Sequence, residues 1–463
     1  MMALVCSTAL GAQITVDCAQ ANGTIRPLHG ANGGPLMHGE FVDLSARFRE
    51  LGFPFLRLHD CQYPNPAVVD IHAVFPNFAA DPASPDSYDF RRTDDYLQSI
   101  LEVGSRIYYR LGQSIEHTRV KYRVHPPPDA QKWADICAGI IRHYTQGWAN
   151  GFDHDILYWE IWNEPENRPA CWTGTDEQFL ALYEAAAVTI KRRFPALKVG
   201  GPGFGHTGSF REGRFEPAPL LKLLLERCRD RAIPLDFLSW HLYTNDPLEC
   251  VTRAKALRSL LDAHGLMKTE LHLNEWNYLP DNDWGPCSPQ QQGPPRDRFF
   301  QRIASAEGAA FDAAVLINMQ DSPIDQAMYY NAENHTFGAL FTFNGTPTTA
   351  FYAFKSFVAM LATPERLRVT GGDGRGVAAL AGINRDRGIV QVLLSSREPR
   401  RGVLSIRLVN LPWNGPTHCE VHAVDSRRSL EESDERILRD GPAELELPAS
   451  APAVFLVRLR RAP

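Results

Sequence analysis

Between about residues 21 and 360, short apolar runs alternate with stretches whose apolar residues recur every three to four positions. Runs at 25–28, 55–58, 107–111, 156–162, 197–200, 237–242, 271–274 and 313–317 read as buried strands. Between them, residues 131–144 place Trp133, Ile136, Cys137, Ile140 and Ile141 on one face of an amphipathic helix. Thr175 followed by Gln178 forms a capping-box pattern and opens a helix through Leu180, Tyr183, Ala187 and Ile190 that stops near Pro195. Further helices are predicted at 88–103, 218–227, 251–264 and 296–310. Strands alternating with helices imply parallel βα units, and eight of them predict an α/β fold, a (β/α)8 TIM barrel over residues 21–360.

The texture changes after residue 365. Short β-rich segments at 377–381, 389–394, 403–409, 419–424 and 454–459 are punctuated by turn residues, which predicts a smaller C-terminal antiparallel β-sandwich over 365–463. The early strand 13–18 precedes the first barrel strand and is expected to join it. The glycine-rich stretch Gly371–Gly376 reads as a hairpin connection. A phosphate cradle would need a strand–loop–helix context, and none supports it here.

Composition narrows the function classes. A net charge of −6 over 463 residues argues against a nucleic-acid partner. No apolar run reaches the roughly 20 residues that span a bilayer, so no membrane partner is expected. The nine cysteines are odd in number and scattered, without zinc-ligand spacing, and read as reduced thiols. A cytoplasmic location follows. The apolar residues 1–12 leave a periplasmic or secreted protein as the alternative, should they be the remnant of a signal peptide.

The chemistry lies at two strand ends. One run closes on Trp162-Asn163-Glu164-Pro165, the other on Asn274-Glu275-Trp276-Asn277. In a parallel barrel, C-terminal strand ends form the active site, and these are strands four and seven. Two carboxylates facing each other there suit glycosidic-bond cleavage, in which one protonates the leaving oxygen and, in retaining enzymes, the other attacks the anomeric carbon from about 5–5.5 Å away. Glu160 shares a strand face with Glu164 but lies deeper, which suits an ion pair with Arg57 or Arg110. His241 and Tyr243, two apart on strand six, both face inward, and His59 ends strand two. These three, with Asn163 and Trp276, are the candidate substrate contacts, and Tyr243 can orient Glu275. His59, Asp60, His241 and the carboxylates lack the spacing of a metal site, so neither a metal nor a cofactor is expected.

Taken together, these motifs resemble glycoside hydrolase family 39. Lys198-Val199-Gly200-Gly201-Pro202 is similar to that family's fifth strand, and Leu235-Asp236-Phe237-Leu238-Ser239-Trp240-His241-Leu242-Tyr243 to its sixth. Residues 347–354 are similar to its barrel-closing helix. The resemblance implies Glu164 as acid/base, Glu275 as nucleophile, sugar contacts from Asn163, His59, His241 and Tyr243, and an oligosaccharide substrate, with β-xylosidase as the best-known activity. One segment departs from the pattern. Where xylosidases of this kind carry Tyr-Trp-Thr-Phe-Ser-Asp near strand eight, the stretch 316–326 places Ile317 at the position of the Trp and Asp325-Gln326 at that of an acidic pair. Another sugar, a transglycosidase and an inactive carbohydrate-binding barrel are the alternatives.

Overall fold

A computed structural model describes residues 13–61, 63, 67–288, 291–333, 337, 340–398, 403–439, 441–448 and 452–463. Residues 1–12, with their signal-peptide-like pattern, lie outside them. Eight parallel strands close into a barrel: Gly30–Asn32, Phe55–Arg57, Arg106–Leu111, Tyr158–Ile161, Lys198–Phe204, Phe237–Thr244, Glu270–Tyr278 and Gln326–Tyr329, referred to below as strands one to eight. They neighbour one another in chain order, and strand eight pairs with strand one. Phe55, Tyr108, Tyr158, Phe237 and Met328, all near the starts of strands, fill the barrel floor. The strand ends are thereby left for polar groups.

Two of the eight strands differ from the sequence expectation. Strand one lies at Gly30–Asn32, not at 25–28. The run 313–317 belongs to the helix Ala306–Asn318, and strand eight follows it at Gln326–Tyr329. The reason is what covers that helix. Its residues are buried at Ala306 and from Gly308 to Ile317, because the barrel lies on one side and the second sheet on the other. Ser395 Oγ of that sheet donates to Ala310 O at 2.5 Å. A helix that is apolar all round shows no 3.6-residue period and reads like a buried strand. The expected helix 296–310 is likewise two helices, Pro294–Ala304 and Ala306–Asn318, divided at Ser305, whose Oγ caps the second by accepting from Glu307 N.

The second sheet has nine strands and is mostly antiparallel. Its order is Ser429–Leu438, Thr417–Val424, Ala453–Arg461, Ile389–Ser396, Val377–Asn384, Glu365–Thr370, Gln13–Thr24, Val403–Val409 and Ala443–Pro448. The N-terminal strand Gln13–Thr24 sits within it, antiparallel to Glu365–Thr370 and parallel to Val403–Val409. The strands at 389–396 and 453–461 are buried on both faces: Leu393, Val454 and Leu456 pack toward the barrel, while Val390, Val392, Phe455 and Val457 join a separate core. Every described residue of that core comes from the sheet and the loop beside it, so the sheet covers its own inner face, as a sandwich does. The stretch Gly371–Gly376 links two antiparallel strands, with Asp373 Oδ1 accepting from the backbone N–H of Arg375, Gly376 and Val377.

Asp312, in the middle of helix Ala306–Asn318, is fully buried, and neither carboxyl oxygen has a hydrogen-bond partner among the described residues. Burial alone pushes its pKa well above the usual carboxylate range. A raised folded-state pKa means that the burden on the fold is absent below the unfolded pKa and grows as pH rises towards the folded one. Asp312→Asn is therefore expected to gain about 1–3 kcal/mol at pH 8 and almost nothing at pH 4, read from denaturant melts at the two pH values. Equal effects at both would show that Asp312 does not fold as the neutral acid.

Candidate active site

Strand four turns into the cleft through an irregular end. Trp162 (φ 72°) and Glu164 (φ 45°) take left-handed backbone conformations. Trp162 is buried, with its Nε1 donating to Cys171 O and its ring edge-on to Trp172. The Glu164 N–H reaches Pro202 O and Gly203 O of strand five. That neighbouring strand end must be bare. A Cβ on Gly205 would lie 2.5 Å from Glu164 Oε1, and one on Gly203 would lie 2.9 Å from His241 Nε2. The glycines here make room for a carboxylate and an imidazole.

Around Glu164, His241 Nδ1 lies 2.7 Å from Oε1, and Asn167 Nδ2 donates to Oε2 at 2.9 Å. Glu275 is held differently. Arg57 Nη1 donates to its Oε1 and Tyr243 OH to its Oε2, both at 2.7 Å. His241 Nδ1 also stands 3.3 Å from Glu275 Oε2. One atom each of Glu164, His241 and Glu275 lie within 4.8 Å of one another. Carboxylate oxygens that approach this closely suit the roughly 5–5.5 Å separation of retaining glycosidases better than the roughly 6.5–9.5 Å of inverting ones.

Arg57 anchors the middle layer of the barrel. Fully buried, it donates through Nε to Glu160, through Nη1 to Asn32 and Glu275, and through Nη2 to Asn163. Glu160 also accepts from Ser239 Oγ and Asn274 Nδ2, so it faces Arg57 and strand residues rather than the cleft. Of the two arginines named from sequence, Arg57 is its partner; Arg110 pairs with Asp70. Burial pushes Arg57 down, but the charges of Glu160 and Glu275 outweigh it and raise its pKa.

The other charges follow from the same crowding. Burial pushes Glu164 up, but the His241 hydrogen bond and charge prevail and leave it below its usual value. Burial pushes His241 down, yet the charges of Glu275 and Glu164 raise it. Burial, with the Arg57 charge, holds His59 well below its usual value, so it is neutral. Burial and then Glu275 push Asp60 up to about 7. Burial and then Glu164 push Glu166 up to about 7 as well.

These groups line a cleft of about 1040 Å³ at the barrel mouth. Glu164, Glu275, Asn163, His59, His241 and Tyr243 all face it. Trp276 does not. On a strand, neighbours point to opposite faces, so with Glu275 inward the Trp276 ring points outward, buried against Phe354 and Tyr329. The strand-eight comparison also changes. Ile317 is a buried helix residue, and Asp325 Oδ2 accepts from Leu271 N at the start of strand seven, the end away from the cleft. The aromatic group just past strand eight is Tyr330, and a loop indole, Trp284, also lines the cleft. Sequence reasoning missed Glu166, His206, Arg253, Trp284 and Phe337. Tyr330 was legible only with strand eight correctly placed, and the loop residues carry no periodic signal.

Barrel and paired carboxylates are those of a (β/α)8 glycoside hydrolase. The chain belongs to the glycosyl hydrolases family 39, whose sequence profile matches residues 42–353. It is 24% identical over 361 residues to a β-xylosidase of Geobacillus stearothermophilus, covering 71% of this chain and 66% of the relative. A β-xylosidase of Caldicellulosiruptor saccharolyticus is 22% identical over 389 residues, covering 76% and 70%. The chain thus spans about two thirds of the length of these curated relatives. The crystal structure of a glucosidase from Croceicoccus marinus superposes with a TM-score of 0.80 at 27% identity, covering 98% of this chain and 99% of that one. Among the described residues, no helix is long and apolar enough to cross a membrane.

Proposed function

We propose that the protein is a retaining exo-glycosidase of β-xylosidase type acting on oligosaccharides. The observation that carries the retaining mechanism is the closeness of Glu164 and Glu275 across His241, within 4.8 Å, and the β-xylosidase type rests on the likeness to the two β-xylosidases. Glu275, with both oxygens fixed by Arg57 and Tyr243, attacks the anomeric carbon. The bond to the leaving oxygen breaks as that oxygen takes a proton from Glu164. Water then attacks the glycosyl-enzyme, Glu164 takes its proton, and Glu275 leaves.

His241 coordinates the two steps. In the free enzyme the proton of the His241–Glu164 pair rests on the imidazole, favoured by the charge of Glu275. As Glu275 forms its bond to carbon that charge disappears. The imidazolium becomes a stronger acid and passes its proton across the 2.7 Å hydrogen bond to Glu164, where the leaving oxygen needs it. Asn163 has its amide oxygen bound by Arg57, which turns the NH2 group to the substrate side.

The sugar is read by a panel of nitrophenyl xyloside, arabinoside, galactoside, glucoside and fucoside. The likeness to a glucosidase is the reason for including the glucoside in the panel. Glu164→Ala tests the roles. In kcat/KM, which reports the first step, its loss is expected to be small on nitrophenyl glycosides, whose leaving group needs no proton, and on the order of 10²–10⁴-fold on disaccharides, while kcat falls on both because the second step loses its base. Equal losses in kcat/KM on both would remove Glu164 as the proton donor.

A further inference from the structure

The strand-two end carries a second carboxyl that the chemistry above does not use. Asp60 follows His59, is 8% exposed and lines the cleft. Its backbone is left-handed, with φ 50°, a conformation that favours glycine and that Asp tolerates better than most residues. The carboxyl is nevertheless present and firmly oriented. Ile115 N donates to Oδ1 at 3.1 Å, Tyr330 OH donates to Oδ2 at 3.1 Å, and His59 Nε2 stands 3.3 Å from Oδ2. A strained, pre-oriented polar group on a cleft wall is the usual form of a ligand contact.

Its position says which part of the substrate it meets. His59 Nε2 stands between Asp60 Oδ2 at 3.3 Å and Glu275 Oε1 at 3.8 Å, and the Tyr330 ring meets that of Tyr243, which holds Glu275. Glu166, Asn167 and His206 gather instead about Glu164: Asn167 donates to it, and His206 N donates to Glu166, which feels its charge. The acid sits by the leaving oxygen and the nucleophile beneath the sugar that is transferred. The Asp60 side of the cleft therefore belongs to that sugar, beyond its reacting carbon.

We propose that Asp60, braced by Tyr330, is a specificity residue that hydrogen-bonds a C3 or C4 hydroxyl of the sugar bound over Glu275. Near neutrality its carboxyl is part protonated, so it both donates to and accepts from such a hydroxyl. The inference rests on the glycosidase reading above.

A substrate–enzyme cycle tests it. The substrates are 4-nitrophenyl β-xyloside and its three monodeoxy analogues, lacking the hydroxyl at C2, C3 or C4, or the glucoside series if the panel selects glucose. They are assayed with wild type, Asp60→Gly, which relieves the left-handed backbone, and Asp60→Asn. Wild type is expected to lose about 10²-fold in kcat/KM on the C3 or C4 analogue. Asp60→Gly is expected to lose about as much on the parent sugar and little more on that same analogue, because the contact is already gone. Asp60→Asn is expected to fall between them. Identical analogue-to-parent ratios in all three enzymes, or an Asp60→Gly enzyme that matches wild type on the parent, would overturn the assignment. Wild type that turns over no glycoside of either series would instead overturn the glycosidase reading, and this inference with it.

Discussion

Glu275→Ala is expected to reduce turnover of the preferred nitrophenyl glycoside by on the order of 10⁴-fold or more, the largest effect of any single change in the cleft. Glu275 has both oxygens fixed by side chains of barrel strands, Arg57 of strand two and Tyr243 of strand six, whereas Glu164 Oε2 is held by Asn167 of the loop beyond strand four. That immobility suits a nucleophile, which must hold one line of approach to a carbon atom. A small anion such as azide can occupy the space of the missing side chain and attack the same carbon from the same face. The rescued product should then be a glycosyl azide of configuration opposite to the substrate, identified by NMR. Rescue with the substrate's own configuration, or a variant within tenfold of wild type, would remove Glu275 from the nucleophile's role.

Arg57→Ala should combine a loss of stability with a loss of activity. Arg57 is the cation shared by Glu160 and Glu275, and it also fixes Asn163 and Asn32. Removing it leaves two buried carboxylates facing each other without their counter-charge. Breaking a buried ion pair from one side costs about 3–5 kcal/mol. Thermal unfolding should therefore move down by several degrees, and the activity should fall further than the unfolded fraction explains. Arg57→Lys separates the two effects. The ammonium keeps the charge but cannot present the planar fork that reaches four acceptors at once. It should recover much of the stability and little of the activity. An Arg57→Ala protein that melts with wild type would mean that Glu160 and Glu275 do not depend on this cation.

Some of the site could be read directly along the chain and some could not. Glu164 and Glu275 stood out because each ends a buried strand amid polar and aromatic neighbours, a local pattern that survives without tertiary knowledge. The preference for Glu164 over Glu160 needed only their depth along one strand, and Glu160 is indeed engaged by Arg57 below the cleft. Trp276 is next to Glu275 in sequence but lies away from the cleft, because adjacent strand residues face opposite ways. Tyr330 is hidden by the misplacement of strand eight, whereas Asp60 is visible beside His59 but carries no local sign of its bond to Tyr330, 270 residues away.

The division has a physical cause. Eight βα units, a β-rich tail and two carboxylates at strand ends are recorded in short-range periodicity, which reports how each residue's face is buried. Periodicity does not report what does the burying. A helix pressed between barrel and second sheet at Ala306–Asn318 therefore looked like a strand. The pairing of Arg57 with Glu275, 218 residues apart, has no trace in either segment alone. The positions of the two candidate carboxylates are local information. Their grouping about His241, 2.7 Å from Glu164 and 3.3 Å from Glu275, and the Asp60–Tyr330 wall beside them, exist only because barrel closure brings the ends of strands two, four, six, seven and eight to one mouth.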